Sequence, residues 1–426
     1  MRLALPPLPL VAVAALGGAL VSACGTSNDT SPGGQPTSQS QLDAGPEADA
    51  PSEAESDTAL PDRAGPDSDV ADAADDDSSP TDAQPDTAPG TWAPYAIVSL
   101  NLHCLKLTQT SFPTNADRFH AIAQAVAAQG VAAMTVQEAC ETTSESAMHM
   151  LHTALEAATG KTWSAEWVET HVAWQGTPDQ ADEGVGILAQ GHLANAIQIA
   201  YRTQGSLRRL ALMATLPPEL GGLRLTTVHL DLDDEAVRAA QARETAVATL
   251  LLADPSLDVL VGGDFNAQQG QPPYAALTAF GFDDLTSSLD PTDIDHVMAH
   301  RGAAVSLVAA APIFDGTTTP IVSDHHGVLV RIAPGIAPNV PRTRIRAAAS
   351  LGATDWLALR GNVAPLTWAA GCAAWESSGG PWEVLLTEIP SGVPFEFKLL
   401  RNDLDWEQGS NHAGSGGATI DVTPAF

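Results

Sequence analysis

Six short polar groups interrupt the apolar runs of this chain: Asn101, Gln137-Glu138, His229, Gly263-Asp264-Phe265-Asn266, Asp295-His296 and Ser323-Asp324-His325. Together they suit hydrolysis of a phosphoester. A carboxylate such as Glu138 offers a divalent cation a hard oxygen ligand, and a bound cation polarises a phosphoryl oxygen and offsets its developing charge. Asp264 is suited to orient or deprotonate a water, and Asn266 to hold a phosphoryl oxygen. His229 and His325 can each donate to a phosphate. Asp295 and Asp324 can each fix a histidine tautomer and favour its cationic form. Any one group alone reads as turn or loop polarity. Six of them at the ends of strand-like runs are hard to explain as chance.

The segments that carry them alternate. Strands are predicted at Tyr95–Leu102, Val131–Val136, Val185–Ala189, Arg209–Leu216, Leu223–Leu230, Leu257–Gly262, His296–Ala299, Ala304–Ala311 and Gly327–Ile332. Helical spacing runs over Asp117–Gln129, Ser144–Thr159 (with Ser144 as N-cap) and Asp234–Leu252. Mixed strands and helices of this kind make a layered α/β protein, and its chemistry gathers where strands end.

The order of these groups resembles the endonuclease/exonuclease/phosphatase superfamily over roughly residues 92–334. Gly-Asp-Phe-Asn followed by Ser-Asp-His is the most specific pair of motifs. The resemblance implies an α/β fold, a two-sheet sandwich flanked by helices (four-layer αββα). It also implies a metal site at Asn101 (directly or indirectly), Glu138 and Asp324, for Mg²⁺ or alternatively Mn²⁺ or Ca²⁺. His229 is similar in position to a catalytic histidine of pancreatic-type deoxyribonucleases and neutral sphingomyelinases. By the same resemblance Asp264 and Asn266 activate water and bind phosphate, Asp295 supports His229, and Asp324-His325 form a C-terminal dyad with His325 on the phosphate. Glu183 matches an acidic residue near His229, and Arg208 or Arg209 a phosphate-contacting arginine. Cys104 and Cys140 follow Asn101 and Glu138 closely, so they are either a disulfide or two semi-buried thiols. Cys372 has no obvious partner.

The formal net charge of -32 argues against a basic surface that holds nucleic acid by counterion release. It leaves a nuclease open, since two arginines and a metal suffice for one phosphate. About half of that charge lies in residues 25–90, which hold 16 acidic residues and one basic residue, Arg63. That stretch is expected to be a disordered, extended linker. Before it, residues 1–24 read as a signal peptide. Its ending, Val21-Ser22-Ala23-Cys24, resembles a bacterial lipobox, which makes Cys24 the lipid-attachment site and the protein exported and membrane-anchored.

A catalytic domain is therefore expected at 91–334 and a Pro-rich linker at 335–345. Five tryptophans crowd the chain after that linker, among them Trp356, Trp375 and Trp382. Short strand-like runs there predict an all-β sandwich module over 346–426. The module resembles family 20 starch-binding domains, which implies a glucan site at Trp368, Lys398, Trp406, Glu407 and Asn411. A structural sandwich with tryptophans in its core is the alternative. The reading as a whole is an exported phosphodiesterase acting on DNA, a phospholipid headgroup or a nucleotide. A surface carbohydrate-binding lipoprotein with an inactive phosphoesterase core is the alternative.

Overall fold

A computed structural model describes residues 92–426, apart from 377–379. The expected signal peptide, Cys24 and the acidic linker at 25–90 lie outside the described residues.

Two six-stranded mixed sheets stack face to face. The first holds β1 (Tyr95–Asn101), β2 (Val131–Glu141), β3 (Trp163–Ala173), β4 (Ala181–Gln190), β11 (Val305–Ile313) and β12 (Gly327–Pro334), in the order β11-β12-β1-β2-β4-β3. The second holds β5 (Ala194–Ala200), β6 (Leu210–Thr215), β7 (Arg224–His229), β8 (Val259–Asp264), β9 (Phe282–Asp284) and β10 (Asp295–His300), in the order β5-β6-β7-β8-β10-β9. Helices α1 (Asn115–Ala128) and α2 (Ala147–Thr159) cover the outer face of the first sheet. Helices α3 (Glu235–Ala253) and α4 (Pro272–Ala279) cover that of the second. This is the four-layer αββα sandwich.

The period of two along a strand explains why the central strands are apolar on both faces. In β1, Ile97 enters the core between the sheets with Ile187, Leu225, Leu260 and Val297. Its neighbours Ala96, Val98 and Leu100 pack outward on Phe119, Ile122 and Leu151 of the helices.

Within these two sheets three strands, β3, β5 and β9, go beyond those predicted, and all three are sheet edges. An edge strand is half exposed and lacks a long apolar run, so its signal is weak. The short helix α4 also goes beyond the prediction. The N-cap of α2 is Ser146, which accepts from the His149 N–H, and not Ser144. The chain at Thr142–Glu145 instead folds into a turn, closed by the Thr142 N–H on the Glu145 carbonyl at 2.8 Å.

The C-terminal chain forms two smaller sheets. One contains β13 (Thr343–Ala347), β16 (Trp375–Glu376), β17 (Trp382–Leu386) and β21 (Thr419–Val422). The other contains β14 (Leu357–Gly361), β15 (Cys372–Ala373), β18 (Pro394–Arg401), β19 (Asp405–Trp406) and β20 (His412–Ser415). The first strand thus begins inside the stretch expected to be a linker. The two sheets share one continuous core with α3: Trp382, Leu385, Cys372 and Ala374 pack with Ala242, Ala246 and Leu250. Ion pairs Arg344–Asp254 and Arg301–Glu388, each at 2.5 Å, tie the surfaces together. Trp382 is core, as the structural-sandwich alternative expects.

Candidate active site

Register places the polar groups. β1 and β2 are parallel, with Asn101 opposite Gln137 at their ends. β7 and β8 are parallel, with His229 opposite Asp264; β8 and β10 are antiparallel, with Asp264 opposite Asp295. His229, Asp264 and Asp295 therefore form one row across the second sheet. The close approach of β7 and β8 explains the glycine before Asp264. Gly263 has φ 153°, and a Cβ there would run into the Val228 carbonyl.

On the first sheet a β-bulge lies between Val136 and Ala139, and Glu138 within it has φ 47°. Bulges re-aim side chains. Gln137 turns between the sheets to donate to Thr227 Oγ1 at 3.0 Å, and Glu138 turns to the site. Asn101 is fully buried and joins the two sheets: its Nδ2 donates to Glu138 Oε1 at 3.1 Å and to Asp264 Oδ2 at 3.2 Å. Its Oδ1 accepts from the His103 N–H at 2.9 Å and so faces that loop. Burial, then the charge of Glu183, pushes the Glu138 carboxyl up; the Asn101 bond opposes this and Asp324 adds to it.

Asp264 accepts the Asn266 N–H at 2.8 Å, and its Oδ2 lies 3.6 Å from His229 Nε2 and 3.9 Å from His325 Nε2. Burial and then Asp295 push its carboxyl up to about 7, against the opposing pull of His325. Asn266 has φ 48° and donates from Nδ2 to the Leu230 carbonyl at 3.0 Å.

Asp295 supports His325 and not His229, contrary to expectation. Its Oδ2 is 2.7 Å from His325 Nδ1. The strand order explains the difference: β8 stands between β7 and β10, whereas the loop before β12 brings His325 across from the other sheet. Burial pulls the His325 imidazole down, but the Asp295 hydrogen bond and charge, then Asp264 and Asp324, carry it up to about 10. The Asp295 carboxylate thus favours the cationic form of His325.

His229 has a different setting. Its Nδ1 is 3.0 Å from Arg209 Nη1 and 3.6 Å from Glu183 Oε1. Burial first, then Arg209, His325 and His171, hold it well below the ordinary histidine range. Glu183 stands near His229, as the resemblance implied. Arg209 is 3% exposed and committed to Glu183 and His229, so it is not a free phosphate contact. The adjacent Arg208 is exposed and reaches only the Thr170 carbonyl, at 3.4 Å.

Asp324 accepts from Ser323 Oγ at 3.1 Å and lies 3.4 Å from His103 Nδ1. His103 and Arg118 were not among the expected site residues. Arg118 is fully buried and donates to the carbonyls of Leu102 (3.0 Å), Cys104 (2.6 Å) and Lys106 (2.9 Å). It holds the loop that carries His103. A buried arginine within an amphipathic helix was the one available signal. Cys104 and Cys140 are joined in a disulfide that ties this loop to β2, and Cys372 is a buried free thiol.

The donor set fits a hard divalent cation. Glu138 and Asp324 offer carboxylate oxygens, and after burial the negative charges of Glu183 and Asp324 raise the Glu138 carboxyl, as a site built to receive a cation would. Asp264, Asp295 and His325 also bring ligand atoms within 4.8 Å of one another, but His325 and Asp295 already satisfy each other.

In the C-terminal sheets, Trp368 and Trp406 are 38% and 43% exposed, with ring centroids 6.3 Å apart and planes tilted by 42°. Lys398 donates to the Gly409 carbonyl at 2.7 Å, and Asn411 to Glu396 Oε2 at 3.0 Å. Glu407 departs from expectation. It is 3% exposed, and its oxygens are taken by the Leu399 N–H at 2.7 Å and by His412 Nε2 at 3.0 Å. Its burial, more than these bonds, keeps it from the surface where a sugar would lie.

The profile of the Endonuclease/Exonuclease/phosphatase family matches residues 98–325. Solved structures similar to this chain include a family protein from Leptotrichia buccalis C-1013-b, at 16% identity and TM-score 0.44, covering 56% of this chain and 99% of that one. The human Nocturnin catalytic domain with bound sulfate matches at 15% identity and TM-score 0.43, covering 56% of this chain and 94% of that one. A mannosyl-6-phosphatase of Bacteroides thetaiotaomicron VPI-5482 matches at 14% identity and TM-score 0.41, covering 56% and 99%. No curated protein matches the sequence. Members of the matched family are hydrolases of phosphate esters and generally use divalent metal ions. The family match spans more than half of the chain, from within β1 to His325, and the chain therefore belongs to the endonuclease/exonuclease/phosphatase family.

Proposed function

We propose that the protein is an exported, metal-dependent phosphodiesterase acting on DNA or a phospholipid headgroup. The observation that carries the reading is the convergence of Asn101, Glu138, His229, Asp264, Asp295, Asp324 and His325 at one edge of the sandwich, in contact across both sheets. Export and lipid attachment at Cys24 rest on the sequence of residues 1–24.

Each residue has a role in that chemistry. Asn101, Glu138 and Asp324 would hold Mg²⁺ or a similar ion, Asn101 indirectly, and the ion would neutralise charge on a phosphoryl oxygen. Asp264, raised toward neutrality by burial and Asp295, accepts the proton of the attacking water. His325, held cationic by Asp295, donates from Nε2 to a non-bridging oxygen, where a charged donor is worth most as charge develops. His229 donates to another, and Asn266, anchored on Leu230, lines the same oxygen site.

The exposed pair Trp368 and Trp406 supports glucan binding by stacking on sugar rings. It also keeps alive the second reading, a carbohydrate-binding lipoprotein with an inactive core.

Hydrolysis of bis(p-nitrophenyl) phosphate, plasmid DNA and sphingomyelin by the purified protein, with Mg²⁺ or with EDTA, tests the first reading. Turnover that EDTA abolishes is expected for at least one substrate. Retention on insoluble starch, with no turnover of any phosphodiester under Mg²⁺, Mn²⁺ or Ca²⁺, would favour the second reading.

A further inference from the structure

We infer that Arg209 is a positioning residue that holds His229 as the neutral tautomer accepting at Nδ1 and carrying its proton on Nε2. His229 then presents a neutral Nε2–H donor to the phosphate. The inference rests on the phosphoesterase reading above for its consequence, but not for its geometry.

A guanidinium only donates. Arg209 Nη1 carries two N–H groups and has two acceptors at 3.0 Å: Glu183 Oε1 and His229 Nδ1. The lone pair of Nδ1 must therefore face Arg209, and the ring proton must sit on Nε2. That nitrogen points to Asp264 Oδ2 at 3.6 Å.

Glu183 would otherwise do the opposite. A carboxylate bonded to Nδ1 holds a proton there and favours the imidazolium, as Asp295 does for His325. The separation from Glu183 Oε1 to His229 Nδ1 is 3.6 Å, beyond hydrogen-bond length. Arg209 has taken the carboxylate's place, and Glu183 is engaged by Arg209 and by His171 Nε2 at 3.7 Å. The two histidines of the site thus differ in what each Nδ1 meets: a guanidinium for His229 and a carboxylate for His325.

The test is two-bond ¹H–¹⁵N correlation NMR of the histidine-labelled protein at pH 7, with and without Mg²⁺. His229 is assigned by loss of its signals in His229→Gln. Wild type should show His229 as the Nε2–H form. Arg209→Met should convert it to the Nδ1–H form or to the imidazolium facing Glu183. Arg209→Lys, which keeps a donor, should restore the Nε2–H form. Turnover should fall at least tenfold in Arg209→Met, with KM changed less than kcat, and recover in part in Arg209→Lys. Should Arg209→Met fail to fold, Glu183→Gln decides: it leaves the Arg209 bond in place and should leave the tautomer unchanged. An Nδ1–H form or imidazolium in wild type overturns the inference. So does an unchanged tautomer in Arg209→Met, or a flipped one in Glu183→Gln. The tautomer needs no substrate, so failure of the phosphoesterase assays is a separate outcome.

Discussion

Acidification should loosen the junction between the sandwich and the C-terminal sheets through His300. This residue ends β10, the strand that begins with Asp295. Its Nδ1 accepts the Gly302 N–H at 2.9 Å, so its Nε2–H donates to Thr387 Oγ1 of the C-terminal sheets, also at 2.9 Å. Protonation would put a hydrogen on Nδ1 against the Gly302 N–H and leave a buried charge. Burial foremost, then Arg301, pushes the imidazole down to about 4 from an ordinary 6.5; Asp283 opposes this and Arg342 adds a little. A depressed histidine is neutral in the folded chain while the unfolded chain is already taking up the proton. Its stabilising contribution is therefore complete above pH 6.5 and is lost as pH falls toward 4. Each tenfold change in proton affinity between the folded and unfolded chain is worth about 1.4 kcal/mol, so the loss between pH 7 and pH 4 is about 3 kcal/mol. The assay is urea unfolding of wild type and His300→Gln across that range. Gln can accept from Gly302 and donate to Thr387 but does not titrate. Other acid-sensitive groups such as His171 and Asp264 cancel in the difference. The wild-type advantage should shrink by about 3 kcal/mol on going to pH 4. A difference that stays flat, or grows in acid, would show that His300 is not the acid-sensitive group at this junction.

Three further outcomes are expected. His325→Ala and Asp264→Ala should each lower turnover by at least about a hundredfold, read in steady-state kinetics on the best substrate; near-wild-type rates would rule out this site. Gly263→Ala should destabilise the fold by at least about 2 kcal/mol in urea unfolding, because its Cβ meets the Val228 backbone. A change under about 0.5 kcal/mol would mean that β7 and β8 separate easily. Cys104 and Cys140 should resist alkylation in the denatured, unreduced protein and become alkylated after reduction, as followed by peptide mass; labelling before reduction would count against the disulfide.

Much of this protein was legible residue by residue. The central strands announced themselves through apolar runs, since both faces of each sheet are covered. The edge strands β3, β5 and β9 did not, because a half-exposed strand carries little apolar pattern. Asp264 and His325 stood out in Gly-Asp-Phe-Asn and Ser-Asp-His, whose spacing is local. Glu407 misled, because its neighbours in sequence do not reveal that the Leu399 N–H and His412 would claim both its oxygens.

The periodicity of the elements, the polar residues that end them and the kind of chemistry those residues suit could thus be read from the chain alone. These depend on side-chain type and on spacing within a few residues. The partner that each titratable group received could not be read that way and came from the packing of the sheets. Asp295 pairs with His325, 30 positions away, and not with His229, because β8 lies between β7 and β10. Arg209 faces Nδ1 of His229, and the C-terminal sheets lock onto α3 and His300. A charge state depends on burial and on neighbours within a few ångströms, and strand order, not distance along the chain, brings those neighbours together.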